Sequence, residues 1–116
     1  MLITFCKSKI AQAVITQAEL YYEGSITIDE NFLRAVDILP GEKVEILNIN
    51  NGSRIETYTI AGKAGSGQIC LNGPAARSGS VGDKIVILSY ALLEQSAARK
   101  TKTKIIYLDD KNRIRK

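Results

Sequence analysis

The sequence predicts a mainly β protein, one small closed barrel of short strands with one or two short helices. Three observations carry this. Short β-branched segments bounded by Gly, Asn and Asp recur along the chain. Asn50-Asn51-Gly52-Ser53 separates two of them, and Asn-Gly favours a hairpin because both residues tolerate positive φ. A faint internal repeat sets residues 24–47 over residues 67–88.

The elements follow in order. Ile3 to Ile10 and Val14 to Leu20 have mixed alternation and are read as strands. Ile26 and Ile28 alternate with Ser25 and Thr27, a third strand. Asp29 suits a helix N-cap, since its side chain can accept from free backbone N–H groups. Phe32, Leu33 and Val36 then share one helical face, and Pro40-Gly41 ends the segment. Lys43 to Ile49 and Arg54 to Ile60 flank the hairpin turn. Ala61 to Gly67 reads as a loop. Lys84 to Ser89 and Lys104 to Leu108 are further strands, and Ala91 to Arg99 is expected to form a second short helix.

In the repeat, Gly24 matches Gly67, Ile26 matches Ile69, Ile28 matches Leu71 and Asp29 matches Asn72. After a two-residue gap, Gly41-Glu42-Lys43-Val44 matches Gly82-Asp83-Lys84-Ile85. One such unit cannot close a sheet on itself, but two can, leaving few exposed edges. The Gly-acid turn leading into a β-branched strand resembles the motif of double-psi β-barrels. That fold is expected over a single domain, residues 1–116.

Composition narrows the function. The chain has 116 residues, 45% hydrophobic and 24% charged, enough for one core. No apolar run approaches a membrane span, and no long apolar stretch opens the chain, so a cytoplasmic protein is expected. Cys6 and Cys70 fit no metal spacing and read as small apolar residues in a reducing compartment. No metal is expected. The net charge is +4, yet Arg99 to Lys116 holds eight basic residues against Asp109 and Asp110. That segment is read as a solvated, partly mobile end in preference to a nucleic-acid footprint. Histidine is absent. Ser-His-Asp and Cys-His catalysis are thereby excluded. Chemistry must come from Ser, Tyr, Lys, Arg, carboxylates or something made from the backbone.

Tyr21-Tyr22-Glu23-Gly24-Ser25 precedes a strand. Gly-Ser alone is a common turn. Gly24 nevertheless lets the chain bend so that Ser25 Oγ can attack the Gly24 carbonyl carbon. The resulting ester can eliminate to dehydroalanine and hydrolyse to a pyruvoyl group. No histidine is needed if a hydroxyl donor stabilises the oxyanion.

The chain resembles the aspartate 1-decarboxylase family, pyruvoyl enzymes that make β-alanine for pantothenate. The residues carrying the resemblance are Lys9, Tyr22-Glu23-Gly24-Ser25, Asn51-Gly52 followed by Arg54 and Thr57-Tyr58, Asn72-Gly73 with Ala75-Ala76, and Val81-Gly82-Asp83. The resemblance implies an inactive proenzyme that cleaves itself between Gly24 and Ser25, into residues 1–24 and 25–116. It also implies a homotetramer with active sites near subunit boundaries, and no pyridoxal phosphate. The ketone made from Ser25 would form a Schiff base with L-aspartate and accept the electrons released with CO2. Tyr58 would be the proton donor. Arg54 and Lys9 would hold substrate carboxylate. Thr57 and Asn72 would donate to the oxyanion during cleavage, and Thr57 would later contact substrate. Gly73, Pro74 and Ala75 would line the substrate pocket.

The chain departs from the family pattern in three places. Ala11 and Tyr21 stand where histidine is frequent, and Pro74 where alanine is usual. Pro74 has no N–H to donate, although that of Ala75 remains. Taken singly, the site residues have plainer readings. Arg54 and Tyr58 could be a cross-strand surface pair, Lys9 a solvated charge, Thr57 a strand former. Arg54 and Tyr58 also share a strand face that Thr57 does not. Two rival readings stand beside the enzyme: a swapped-hairpin DNA-binding regulator, and a barrel relative that never matures. Nothing in the sequence identifies a maturation factor.

Overall fold

Alternation and turn chemistry settle most of the architecture. The structure is a computed structural model that describes residues 1–115; Lys116, the end of the expected domain, lies outside the described residues. The strands are β1 (Leu2–Val14), β2 (Gln17–Glu19), β3 (Ser25–Asp29), β4 (Lys43–Asn48), β5 (Arg54–Gly62), β6 (Ile69–Asn72), β7 (Lys84–Glu94) and β8 (Lys104–Tyr107). Two short α-helices, α1 (Glu30–Ala35) and α2 (Gln95–Ala98), and a 3-10 turn over Gly73–Ser78 complete the elements among the described residues. Asp29 caps α1 as expected, accepting from the Asn31 N–H at 2.8 Å.

The strands lie in the order β2-β6-β3-β5-β4-β7-β1-β8. β1 runs through Ile15 and Thr16 directly into β2, so the first strand of that order and the seventh are one stretch of chain. The sheet therefore closes into a barrel, with β8 added outside β1. Ile10, Ile46, Ile55 and Ile87 face each other around one level of its interior. Burying branched side chains of this kind contributes about 1.5–3 kcal/mol each, the main stabilising force on a chain with no Trp.

The repeat becomes a pseudo-twofold. β3-α1-β4 corresponds to β6, the 3-10 turn and β7. Each Gly-acid turn hooks a strand of the opposite half. The Gly41 N–H donates to Thr59 O (2.7 Å) and the Thr59 N–H returns to Glu42 O (3.1 Å). The Gly82 N–H donates to Ile15 O (2.8 Å) and the Ile15 N–H to Asp83 O (2.9 Å). Gly41 and Gly82 sit at φ +87° and +95°, left-handed turns that glycine adopts without strain. Even the acids match. Glu42 accepts from the Leu39 N–H and Ser89 Oγ, and Asp83 from the Ser80 N–H and Asn48 Nδ2. These interlocked halves make a double-psi β-barrel.

Two expectations need correction. The second helix covers only Gln95–Ala98, because Ala91 to Glu94 extend β7 and pair with Leu2 to Phe5. A long-range ladder has overridden local helix propensity. The basic C-terminal segment is docked. Leu108 is 1% exposed, and the Asn112 side chain accepts from the Val14 N–H while donating to Val14 O and Gly67 O. Its described lysines and arginines, up to Arg115, lie at the surface while two uncharged residues fasten it. Among the described residues, no helix is long and apolar enough to cross a membrane.

Candidate active site

The Gly24–Ser25 peptide lies where β3 begins, between β5 and β6. Ser25 pairs with Asn72 across the antiparallel β3–β6 ladder. On the other side β3 runs parallel to β5, with Ile26 opposite Thr59. Carried one and two residues back, that register sets Ser25 beside Tyr58 and Gly24 beside Thr57. Thr57 and Tyr58 point to opposite faces of β5; Thr57 shares a groove with Gly24, and Tyr58 is partly exposed.

Ser25 is fully buried. Its Oγ accepts from Asn72 Nδ2 at 2.9 Å, and the same nitrogen reaches Thr27 Oγ1 at 2.9 Å. The Asn72 carbonyl faces Cys70 Sγ at 3.2 Å. Gly73, at φ +64°, presses the backbone of residues 22–24. A β-carbon there would stand 2.4 Å from Tyr22 O and 2.9 Å from Gly24 N. Gly24, Thr57, Pro74 and Ala75 together line a groove of about 320 Å³, with Ile55, Glu56 and Ser78. Pro74 occupies the first turn of the 3-10 segment, where its missing N–H costs nothing.

Eight of the residues singled out from sequence therefore converge: Gly24, Ser25, Thr57, Tyr58, Asn72, Gly73, Pro74 and Ala75. Lys9 and Arg54 do not join them within one chain. Lys9 lies on β1, in register with Leu88, Glu45 and Glu56 on successive strands, so about 14 Å of sheet separates its backbone from β5. Arg54 is four residues along β5 from Tyr58, about 13 Å, and is ion-paired with Glu45. Tyr90 lies nearby, its phenol pushed up by burial and by the Glu45 carboxylate, against the opposing pull of Arg54. Of the positions that depart from the family pattern, Ala11 is buried opposite Tyr107, and Tyr21 is almost fully exposed.

Sequence reading missed Glu45, Thr27 and Cys70. Only the strand registers, which hairpin and repeat patterns do not fully fix, place these beside the expected residues.

Comparison with known proteins identifies the family. The family model for aspartate decarboxylase matches residues 1–115. The chain is 54% identical over 107 residues to the aspartate 1-decarboxylase of Thermoanaerobacter pseudethanolicus, covering 92% of each chain. It is 53% identical to that of Carboxydothermus hydrogenoformans, covering 98% of this chain and 90% of the relative. Among solved structures it is similar to the rationally designed mkDPBB_sym_86 protein, with a TM-score of 0.49 and 18% identity over 68% of this chain and 91% of that one. A buried serine after glycine, flanked by Thr57, Tyr58 and Asn72, and a match from end to end lead to one assignment: the chain belongs to the aspartate decarboxylase family and is a decarboxylase.

Proposed function

We propose that this chain is a cytoplasmic proenzyme that cleaves itself at Gly24–Ser25 and then converts L-aspartate to β-alanine and CO2 by pyruvoyl-dependent, Schiff-base chemistry. One observation carries the reading: Ser25 is buried with its Oγ accepting from Asn72 Nδ2, while Gly24 shares a groove with Thr57. In cleavage, Ser25 Oγ bonds to the Gly24 carbonyl carbon while the C–N bond breaks, and the hydroxyl proton passes to the freed amine. Thr57 and Asn72 donate to the oxygens that gain charge. The ester then loses the Ser25 α-proton and expels the Gly24 carboxylate, leaving dehydroalanine. Water replaces its nitrogen, ammonia departs, and a pyruvoyl group caps residues 25–116.

The surroundings of Ser25 fit that group. The site is closed by an unbroken segment at Gly24, so cleavage itself frees the covering residues to move aside. Asn72 Nδ2 donates to Ser25 Oγ; that oxygen leaves with the Gly24 carboxylate, which frees the amide to donate to the ketone oxygen that water sets on the neighbouring carbon. When formed, the group supplies an electrophile for the substrate amine and an electron sink for the pair left by CO2. Tyr58 delivers the proton to the carbon that lost CO2. Thr57, Gly73, Pro74 and Ala75 confine the substrate in the groove. Arg54 and Lys9 hold substrate carboxylate, and because one chain keeps them far from its own Ser25, a neighbouring copy in a homotetramer provides them.

Denaturing mass spectrometry of purified protein tests this. Two fragments are expected, residues 1–24 and a residue 25–116 fragment with a blocked, ketone-bearing end. Ser25→Ala should stay intact and release no CO2, while Tyr58→Phe should be cleaved yet turn over poorly. An intact parent chain under every condition would leave only the barrel relative that never matures.

A further inference from the structure

We propose that Thr27 and Cys70 are positioning residues for self-cleavage, a three-point clamp that aims the Asn72 amide at Ser25; this rests on the self-processing reading above.

Core-facing Ile26, Ile28, Ile69 and Leu71 fix the inner face of the β3–β6 ladder. Ser25, Thr27, Cys70 and Asn72 therefore share the opposite face. They stand as two adjacent cross-strand pairs, Ser25 with Asn72 and Thr27 with Cys70. A carboxamide has one acceptor end and one donor end. Here the acceptor end meets the Cys70 thiol at 3.2 Å, and the donor end meets Thr27 Oγ1 and Ser25 Oγ, each at 2.9 Å. Every contact favours the same orientation. Sulfur is a weak acceptor and hydroxyl oxygen a good one, so rotating the amide by half a turn would put its NH2 against sulfur and its oxygen against two oxygens.

The thiol must keep its proton to serve as donor. Burial, helped by the Glu19 carboxylate, pushes its pKa up, so it stays S–H at neutral pH. Asn72 is 2% exposed and Cys70 3%, so water cannot replace a lost partner cheaply. Without the clamp the amide can swing or flip, and its carbonyl would then face the nucleophile and the charge that develops beside it.

The test combines a double-mutant cycle with a readout independent of cleavage. Thr27→Val and Cys70→Ala are each expected to slow fragment formation about fivefold, the usual loss for one neutral hydrogen bond. Cys70→Ser should restore most of the rate because its hydroxyl donates in place of the thiol. In an Asn72→Ala background neither change should slow cleavage further. The second readout uses 15N-asparagine-labelled Ser25→Ala protein, which stays uncleaved. Its Asn72 side-chain amide should exchange slowly with water, and faster once Thr27→Val or Cys70→Ala is added. Undiminished cleavage in both variants, full additivity on Asn72→Ala, or amide exchange indifferent to both residues overturns the clamp. A parent chain that never cleaves while its Asn72 amide is protected by Thr27 and Cys70 would refute self-processing and leave the clamp standing.

Discussion

Gly73→Ala probes how tightly the cleavage segment is held. Gly73 stands at φ +64°, where an L-residue costs about 1–2 kcal/mol. The added methyl would meet Tyr22 O at 2.4 Å, Gly24 N at 2.9 Å and the Glu23 carbonyl carbon at 3.0 Å, all backbone. Ordinary contact requires Tyr22 O to retreat by about 1 Å, and overpacking of this kind adds about 1–3 kcal/mol. The fold should survive, since the clash falls on an exposed stretch at Tyr22 and Glu23, outside the core. The chemistry should not escape. The displaced backbone carries the scissile carbonyl, and a misplacement of about 1 Å at a reacting centre costs about a hundredfold in rate. The assay follows the two fragments by mass over time, alongside a thermal melt. A folded Gly73→Ala protein that matures at the parent rate would show that the 22–24 backbone can shift without disturbing attack, and would refute this account of Gly73.

Two further outcomes follow from ion pairs. Arg54 is engaged by Glu45, so substrate carboxylate must displace a resident one. Glu45→Gln should lower KM for aspartate about two- to fivefold, the range for an exposed pair, with maturation unchanged; an unaltered KM would remove Arg54 from carboxylate binding. Glu42 gives a pH dependence. Burial pushes its carboxyl up, but hydrogen bonds from Ser89 Oγ, the Leu39 N–H and Lys7 Nζ outweigh this and hold its pKa below the ordinary value. A carboxyl lowered on folding stabilises above its unfolded pKa and loses that contribution as pH falls through the folded value. Melting temperature should therefore drop as pH falls below about 5, and less steeply in Glu42→Gln. Parallel curves for the two proteins would count against it.

The fold was legible because its signals are local and repeated. Asp29 announced a helix start, Asn51-Gly52 a hairpin, and the two Gly-acid turns a pair of matching halves. The family motif singled out Gly24, Ser25, Thr57, Tyr58 and Asn72, and of these Ser25 and Asn72 stand paired across one ladder while Gly24 and Thr57 line one groove. What stayed hidden depends on register and distant pairing. Ala91 to Glu94 look helical until Leu2 to Phe5 lie beside them. Asn112 is one polar residue in a basic tail until it meets Val14 and Gly67. Thr27 and Cys70 are unremarkable in a strand until the ladder sets them next to Ser25 and Asn72.

The repeat also gives a reason why the proposed cleavage would fall in one half and not the other. Gly24–Ser25 and Gly67–Gln68 are equivalent joints, each reached by the polar residue that closes the opposing strand. At the inert joint that residue is Asp29, whose carboxylate accepts from the N–H groups of Asn31, Gly65 and Gly67 and so pins the turn. At the other it is Asn72, which makes no cap and turns its NH2 onto two hydroxyls. A carboxylate can only accept, and it would repel an oxyanion forming beside it; an amide can donate to one. The barrel brings a polar strand-end residue to both joints, and two exchanges set them apart: serine for Gln68 supplies a nucleophile and an amide donor replaces a carboxylate acceptor, which favours the proposed cleavage at Gly24–Ser25 alone.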